Sequence, residues 1–194
     1  MHMNNREVEI KFKINKPDLV RTILKNKKAK FIGRAFERTT RCDTQNKILE
    51  KRGQFLRIRT GFKNTITFKR KVKNKEFKER EEIELELSDP EKMRTILENL
   101  GFTKILIMEK YREKWHLDNV EIVIDKLPMG TFLEIEGKEK EIKEMVKTLG
   151  LNFKNGITKT YWDLWKEFSK REGIKNENII FASIKKNKIK NANF

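Results

Sequence analysis

The sequence predicts an α+β protein in which antiparallel strands form a barrel with a charged bore and helices pack on the outside. Many short segments alternate apolar and charged residues, which is the period of a strand with one buried face. Apolar residues at helical spacing lie between these segments. Like charges also recur on one strand face, and this favours a concave surface that holds ions of both signs over a flat sheet facing water.

Seven segments show the strand alternation. In the first, Arg6–Ile14, the side chains of Ile10 and Phe12 share one face, and those of Glu9 and Lys11 share the other. The remaining segments are Phe55–Thr60, Thr65–Lys71, Arg80–Leu87, Lys110–Arg112, Ile122–Asp125 and Phe132–Glu136.

Helices are predicted from Pro17 onward, after Ser88, over residues 138–149 and over Trp162–Arg171. Ser88 is the predicted N-cap of the second helix, because Pro90 follows at a first-turn position. The sequence Arg-Thr-Ile-Leu at 21–24 recurs at 94–97, 73 positions later, and the same offset relates the first strand to the fourth segment. This repeat predicts a duplicated β-α-β unit.

Composition limits the chemistry. The chain of 194 residues has one cysteine and two histidines, which exclude an internal disulfide framework and a zinc site built on His and Cys. A Ser–His or Cys–His nucleophile is disfavoured, because His116 would have to be the base in either. Cys42 is expected to be a reduced thiol. Any catalysis must therefore use carboxylates, Lys, Arg and hard metal ions.

The charge is strongly basic, with 46 Lys and Arg against 29 Asp and Glu, for a net charge of +17. A basic surface can bind nucleic acid, but it can also be a solvated surface. The basic residues alternate with acidic ones that would repel a duplex, so we expect no specific nucleic acid partner. Mean hydropathy is −0.77 and no long apolar run is present, which predicts a cytoplasmic protein without a membrane partner.

The order of the charged motifs resembles the CYTH superfamily, which contains class IV adenylate cyclases and thiamine or inorganic triphosphatases. Glu7–Lys11 resembles the opening E-x-E-x-K motif of that family. The later motifs follow in family order over roughly residues 6–165: Leu56–Arg59 (LR-x-R), Lys69, Arg80–Glu82 (R-x-E), Lys110–Arg112 (K-x-R), Asp125 with Gly130 and Phe132–Glu136 (D…G-x-F-x-E-x-E), and Lys159–Tyr161.

The resemblance implies an eight-stranded antiparallel tunnel over residues 1–167 that binds a triphosphate, followed by a basic C-terminal extension, 168–194. It also implies a bound Mg²⁺ or Mn²⁺. The predicted triphosphate-binding residues are Lys11, Arg57, Arg59, Lys69, Arg80, Lys110 and Arg112, since Arg and Lys bind phosphate oxygens. The predicted metal ligands are Glu7, Glu9, Glu82, Asp125, Glu134 and Glu136, since hard cations prefer carboxylate oxygens. The predicted catalytic residues are Glu7, Glu9, Asp125 and Lys110.

Two reactions fit these residues: cyclisation of ATP to cyclic AMP and pyrophosphate, and hydrolysis of a triphosphate such as tripolyphosphate or thiamine triphosphate. The segment with Asp43, Ile48, Leu49 and Gly53 resembles the cyclase-type branch, which favours the first reaction. The third alternative is a module that binds a nucleotide or polyphosphate without turnover. The expected partners are ATP or another triphosphate, together with a second copy of the chain in a homodimer.

Overall fold

The computed structural model describes residues 6–72 and 76–184. Its eight strands are all antiparallel and close into a barrel in the order β1-β5-β4-β3-β2-β6-β7-β8. The strands are β1 Arg6–Ile14, β2 Lys30–Asp43, β3 Gln54–Thr60, β4 Thr65–Lys71, β5 Lys78–Glu86, β6 Lys104–Leu117, β7 Val120–Leu127 and β8 Gly130–Glu136. The predicted barrel is confirmed.

Five α-helices lie outside the strands in the described part of the chain. They are α1 Pro17–Asn26, α2 Ile48–Lys51, α3 Pro90–Asn99, α4 Glu139–Thr148 and α5 Tyr161–Glu172, and 3₁₀ turns occupy Phe153–Asn155 and Phe181–Ser183. Each of the four predicted helices is present within one or two residues of its predicted position.

The barrel consists of two units with the same element order: strand, helix and three strands. The first unit contains β1 to β4 with α1, and the second contains β5 to β8 with α3. Glu7 pairs with Arg80 across β1–β5, and Glu37 pairs with Lys110 across β2–β6. Residues 73 positions apart thus meet where equivalent strands pair, at β1–β5 and at β2–β6, as an approximate two-fold relation requires.

The outer face of the barrel packs against the helices in separate clusters. Helices α1 and α4 cover β1, β7 and β8, with Ile10, Leu24 and Ile135 almost fully buried. Helix α3 covers β2 and β3 through Leu97, which lies against Ile58. The inner face is left to the alternating charged residues.

Two details of the sequence prediction change. Asp89, rather than Ser88, is the N-cap of α3, because its carboxylate accepts a hydrogen bond from the backbone N–H of Lys92 at 3.0 Å. Strand β2 and helix α2 were absent from the prediction. Asp43 fixes α2 by accepting hydrogen bonds from the backbone N–H groups of Leu49 and Glu50, both at 3.0 Å. Asp43 therefore has a structural role here.

The described part of the C-terminal extension docks on the barrel. Ile179 is fully buried and its backbone pairs with β6 beside Met108. Residues 185–194 of the predicted extension lie outside the described residues. None of the described helices has the length and apolar character needed to cross a membrane. Cys42 is buried, and burial raises the pKa of its thiol to about 11.

Candidate functional site

The inner faces of the strands form a charged bore that contains a cavity of about 90 Å³. Ten of the predicted site residues line this bore cavity: Glu7, Glu9, Arg57, Arg59, Lys69, Arg80, Lys110, Arg112, Glu134 and Glu136. The other three are one contact away. Lys11 pairs with Glu134 at 2.7 Å, Glu82 with Lys69 at 2.6 Å, and Asp125 with Lys110 at 3.0 Å. The fold therefore brings all thirteen predicted residues together in or next to the bore cavity.

The two arginines of β3 carry positive charge that the bore does not fully neutralise. Arg57 donates to the Thr67 hydroxyl at 3.2 Å and lies 3.7 Å from Glu82. Burial and the adjacent Arg59 lower the pKa of Arg57 to about 10. The Nε of Arg59 is buried and has no hydrogen-bond acceptor in the described structure. A buried donor without an acceptor is costly, so this nitrogen is available to a ligand oxygen even though Glu37 and Glu84 lie near enough for Arg59 to lower their pKa values.

Asp125 is fully buried at the centre of a second cluster. Its carboxylate accepts hydrogen bonds from Lys110 Nζ at 3.0 Å, Arg112 Nε at 2.7 Å and the Tyr161 hydroxyl at 3.0 Å. Burial and the nearby Arg112 lower the pKa of Lys110 to about 8. Asp125 thus positions two cations, and one of them can exchange a proton near neutral pH.

A third cluster centres on Lys11. Its Nζ lies 2.9 Å from Glu9 and 2.7 Å from Glu134, and Lys78 adds a second contact to Glu9 at 2.7 Å. Burial alone would raise the pKa of Glu9, but Lys11 and Lys78 hold it well below its ordinary value. These carboxylates are ionised at all physiological pH values.

Glu136 marks an excess of acid at the end of β8. It lies opposite Glu9 on β1 and opposite Glu121 on β7, and no described Lys or Arg nitrogen lies within 4.0 Å of its carboxylate. Burial, followed by Glu7 and Glu121, raises the pKa of Glu136 to about 8. Carboxylates that repel one another in this way suit a hard divalent cation.

The donor set fits Mg²⁺ or Mn²⁺, although the described residues contain no group of three acidic or histidine side chains already converged for a metal. The reason is that Glu7 pairs with Lys69 and Glu9 pairs with Lys11 and Lys78. A metal held by these carboxylates would have to take over their oxygens from the lysines. A metal could bind the Glu136 carboxylate without displacing a lysine, since none of the described lysines pairs with it.

Sequence reasoning missed two charged residues of the bore. Lys78 lines the cavity, and the alternation of β5 would have revealed it if the strand had been extended by two residues. Glu37 is buried beside Lys110, at 3.4 Å, and Arg112, at 3.6 Å. Its strand shows no clean alternation, and the only signal is the 73-residue offset, which relates Glu37 to Lys110.

Comparison with known proteins agrees with this geometry. Residues 5–161 match the CYTH domain. A Methanocaldococcus jannaschii protein named "Putative adenylate cyclase" is 35% identical over 170 residues, which is 81% of this chain and 97% of that protein. A Pyrococcus horikoshii structure is 27% identical, with a TM-score of 0.69, and covers 80% of this chain and 96% of its own.

A Hippeastrum structure shares the fold at 18% identity and a TM-score of 0.61, covering 84% of this chain and 96% of its own. That protein is named a "Putative adenylyl cyclase" that reveals a dominant triphosphatase activity. At this identity the likeness extends to the fold alone.

Proposed function

The chain belongs to the CYTH family, whose members bind triphosphate substrates, and from that membership we propose that it is a metal-dependent enzyme that converts ATP into cyclic AMP and pyrophosphate. One observation carries the proposal. Arg57 and Arg59 lie side by side in the bore, both partly buried, and the buried Nε of Arg59 has no acceptor among the described residues. A triphosphate is an anion of matching shape and charge, because its successive phosphates can meet side chains about 7 Å apart on one strand face.

The bore residues have distinct tasks in this proposal. Arg57 and Arg59 hold neighbouring phosphates through their planar guanidinium groups, and Lys69 adds a point charge. Arg112 on β6, fixed by Asp125 and Glu134, neutralises further phosphate charge from two strands away in the barrel. Because these cations are fixed before the substrate arrives, they stabilise the charge that develops on the pyrophosphate as the phosphorus–oxygen bond breaks.

Glu7, Glu9 and Glu136 are the residues that would hold Mg²⁺ or Mn²⁺, with Glu134 and Glu82 adjacent. A bound cation of this kind would neutralise phosphate oxygens and lower the pKa of a coordinated hydroxyl. Asp125, also predicted as a ligand, already accepts hydrogen bonds from Lys110, Arg112 and Tyr161. Glu82 shares Lys69 with Glu7.

The proton of the attacking ribose hydroxyl must leave as the new bond to the α-phosphorus forms. Asp125 is poorly suited to accept it, because Lys110, Arg112 and Tyr161 already donate to its oxygens. Lys110 lines the cavity, and its pKa of about 8 gives it a neutral fraction near physiological pH. We assign proton transfer to Lys110 Nζ and positioning to Asp125.

Hydrolysis of a triphosphate is the second candidate. The bore cavity of about 90 Å³ has room for phosphate groups and not for a nucleoside as well, so a substrate without a nucleoside would also fill it. The same cations would then serve attack by water, and the Hippeastrum protein of the same fold is named for a dominant triphosphatase activity.

Product identification separates these functions. The protein is incubated with ATP, tripolyphosphate or thiamine triphosphate in the presence of Mg²⁺ or Mn²⁺, and the products are identified by chromatography. Cyclic AMP with pyrophosphate supports the cyclase, whereas inorganic phosphate supports the hydrolase. Binding of all three compounds without any product would leave only a binding module and would refute both reactions.

Arg59→Ala tests whether the Arg57 and Arg59 pair binds the phosphates of the substrate. It should reduce kcat/KM for a triphosphate about 10-fold to 150-fold, because a charge-assisted hydrogen bond is worth about 1.5–3 kcal/mol. Arg59→Lys should recover part of the loss. Arg70→Ala is the matched control, since Arg70 lies on the outer face of β4 and pairs with Glu81. Equal losses in the Arg59 and Arg70 variants would contradict the proposal.

A further inference from the structure

A second cavity, which we call the entrance cavity, adjoins the bore. Its volume is about 380 Å³, within the range of small-molecule sites. Phe55, Arg80, Thr160 and Trp162 line both the entrance cavity and the bore cavity. One ligand can therefore extend from the bore into the entrance cavity.

The outer wall of the entrance cavity comes from residues beyond the part of the chain that matches the CYTH domain. That match ends at residue 161, and the wall contains Trp162, Trp165 and the segment 174–177. The wall is fixed in place. Trp165 Nε1 donates to the backbone oxygen of Asn176 at 3.0 Å, and Ile179 exchanges two backbone hydrogen bonds of 2.8 Å with β6.

The lining of the entrance cavity combines aromatic rings with charged side chains. Phe55, Trp162 and Trp165 contribute the rings. Three of the charged residues are acidic, and the basic ones are Arg41, Lys47, Lys71, Arg80, Lys166 and Lys175. The Nε1 of Trp162 is buried and has no hydrogen-bond acceptor among the described residues. The rings suit a flat base that carries hydrogen-bond acceptors, and the excess of cations suits the phosphate chain attached to it.

We propose that the entrance cavity binds the nucleobase of a nucleoside triphosphate and that Trp162 Nε1 donates to an acceptor on that base. The inference rests on the proposed function, because the phosphate chain of the same molecule must lie in the bore. It goes beyond that function by assigning substrate selection to the chain after residue 161. A base acceptor would satisfy the indole N–H, which otherwise lacks a partner.

The test compares two ligands that differ in the base. Affinities of the full-length protein for ATP and for inorganic tripolyphosphate are measured by calorimetry with Mg²⁺ present. Trp162→Phe keeps an aromatic ring and removes the donor, so it should weaken ATP binding about threefold to tenfold and leave tripolyphosphate binding unchanged. Arg59→Ala is the matched control and should weaken the binding of both ligands.

The possible failures are distinguishable. If the unmodified protein binds tripolyphosphate but not ATP, or if Trp162→Phe changes neither affinity or both equally, the base site is refuted and triphosphate binding stands. If the unmodified protein binds neither ligand, the proposed function is refuted together with the base site. Trp162→Ala removes the ring as well, and a larger loss of ATP affinity than in Trp162→Phe, again without a change for tripolyphosphate, would further support the base site.

Discussion

The two units of the barrel repeat the same strand pattern but bury it differently. On β1, the outward residues Ile10 and Phe12 are 1% and 2% exposed. Their counterparts 73 positions later on β5, Ile83 and Leu85, are 65% and 64% exposed. The apolar alternation that identifies both strands is therefore no measure of how deeply a residue is buried.

The difference arises from α4. This helix follows β8 at the end of the second unit and packs its Ile142 and Val146 into the cluster that contains β1. Among the described residues, no helix lies between β4 and β5, which is the corresponding place in the first unit. The described structure therefore gives the outer face of β5 no helix equivalent to α4.

The inner faces of the two units differ as well. Glu9 on β1 faces Glu136 across the strand pair, whereas its counterpart Glu82 on β5 faces Lys69, with the two charged groups 2.6 Å apart. The Glu82–Lys69 pair neutralises its own charge. The Glu9–Glu136 pair does not, and the Glu136 carboxylate has no cation partner among the described residues. From this asymmetry we propose that the predicted metal site lies on the β1–β8 side of the bore.

The largest expected effect concerns burial. Phe12→Ala should lower the free energy of unfolding by about 3–5 kcal/mol, because it removes a buried ring and leaves a cavity. Leu85→Ala at the equivalent position of β5 should change it by less than about 0.5–1 kcal/mol. Urea unfolding of both variants measures the difference. Equal losses would show that β5 is covered in solution by a part of the assembly that this structure lacks.

The next effect concerns the inner faces. Lys11→Met should cost about 3 kcal/mol of stability, since it leaves Glu9 and Glu134 buried with fewer cations. Glu84, its counterpart on β5, is exposed and accepts from the Thr67 hydroxyl at 2.8 Å. Glu84→Gln should therefore be close to neutral. A neutral Lys11→Met would indicate that the three-residue cluster contributes nothing to folding.

The acid excess predicts a pH dependence. The pKa of Glu136 is raised from 4.5 to about 8 in the folded state, so between these values the folded protein binds a proton that the unfolded chain does not. This contribution to stability is complete below pH 4.5 and is lost as the pH rises through 8. Without metal, Glu136→Gln should therefore melt higher than the unmodified protein at pH 9 and nearly equally at pH 4.

Metal addition sharpens that experiment. Mn²⁺ at pH 8 should raise the melting temperature of the unmodified protein, because it binds the folded state, and should do so less in Glu136→Gln. Glu136→Lys would recreate the Glu82–Lys69 arrangement on the β1 side, and we expect it to stabilise the metal-free protein and abolish metal-dependent turnover. An unchanged Mn²⁺ response in both variants would remove Glu136 from the metal site.

The sequence predicts β1 in full because each of its side chains has one clear environment. It does not predict β2, because Phe31 and Phe36 of that strand are exposed although they are apolar. They contact rings of β6, with Phe31 4.9 Å from Trp115 and Phe36 5.2 Å from Tyr111 between ring centroids. Exposed aromatic residues of this kind disturb the alternation, and for the same reason the sequence analysis missed Glu37.

The sequence predicted which residues belong to the site but not which of them pair with one another. Alternation and motif order identified Asp125 as charged and inward. Its saturation by Lys110, Arg112 and Tyr161 depends on three elements that meet only in the folded barrel. Roles that depend on such partners cannot be obtained from spacing along the chain.

The smallest expected effect compares the beginnings of α1 and α3. Asp89 caps α3, whereas its counterpart Lys16 has a similar extended backbone and makes no side-chain cap hydrogen bond. Asp89→Ala should cost about 1 kcal/mol and Ser88→Ala almost nothing, because only the first removes an acceptor for the Lys92 N–H. Lys16→Asp should stabilise α1 by up to about 1 kcal/mol, seen as a rise in melting temperature of about 2–4 °C. If Ser88→Ala costs more than Asp89→Ala, the helix begins one residue earlier in solution, and the equivalence of Lys16 and Asp89 fails with it.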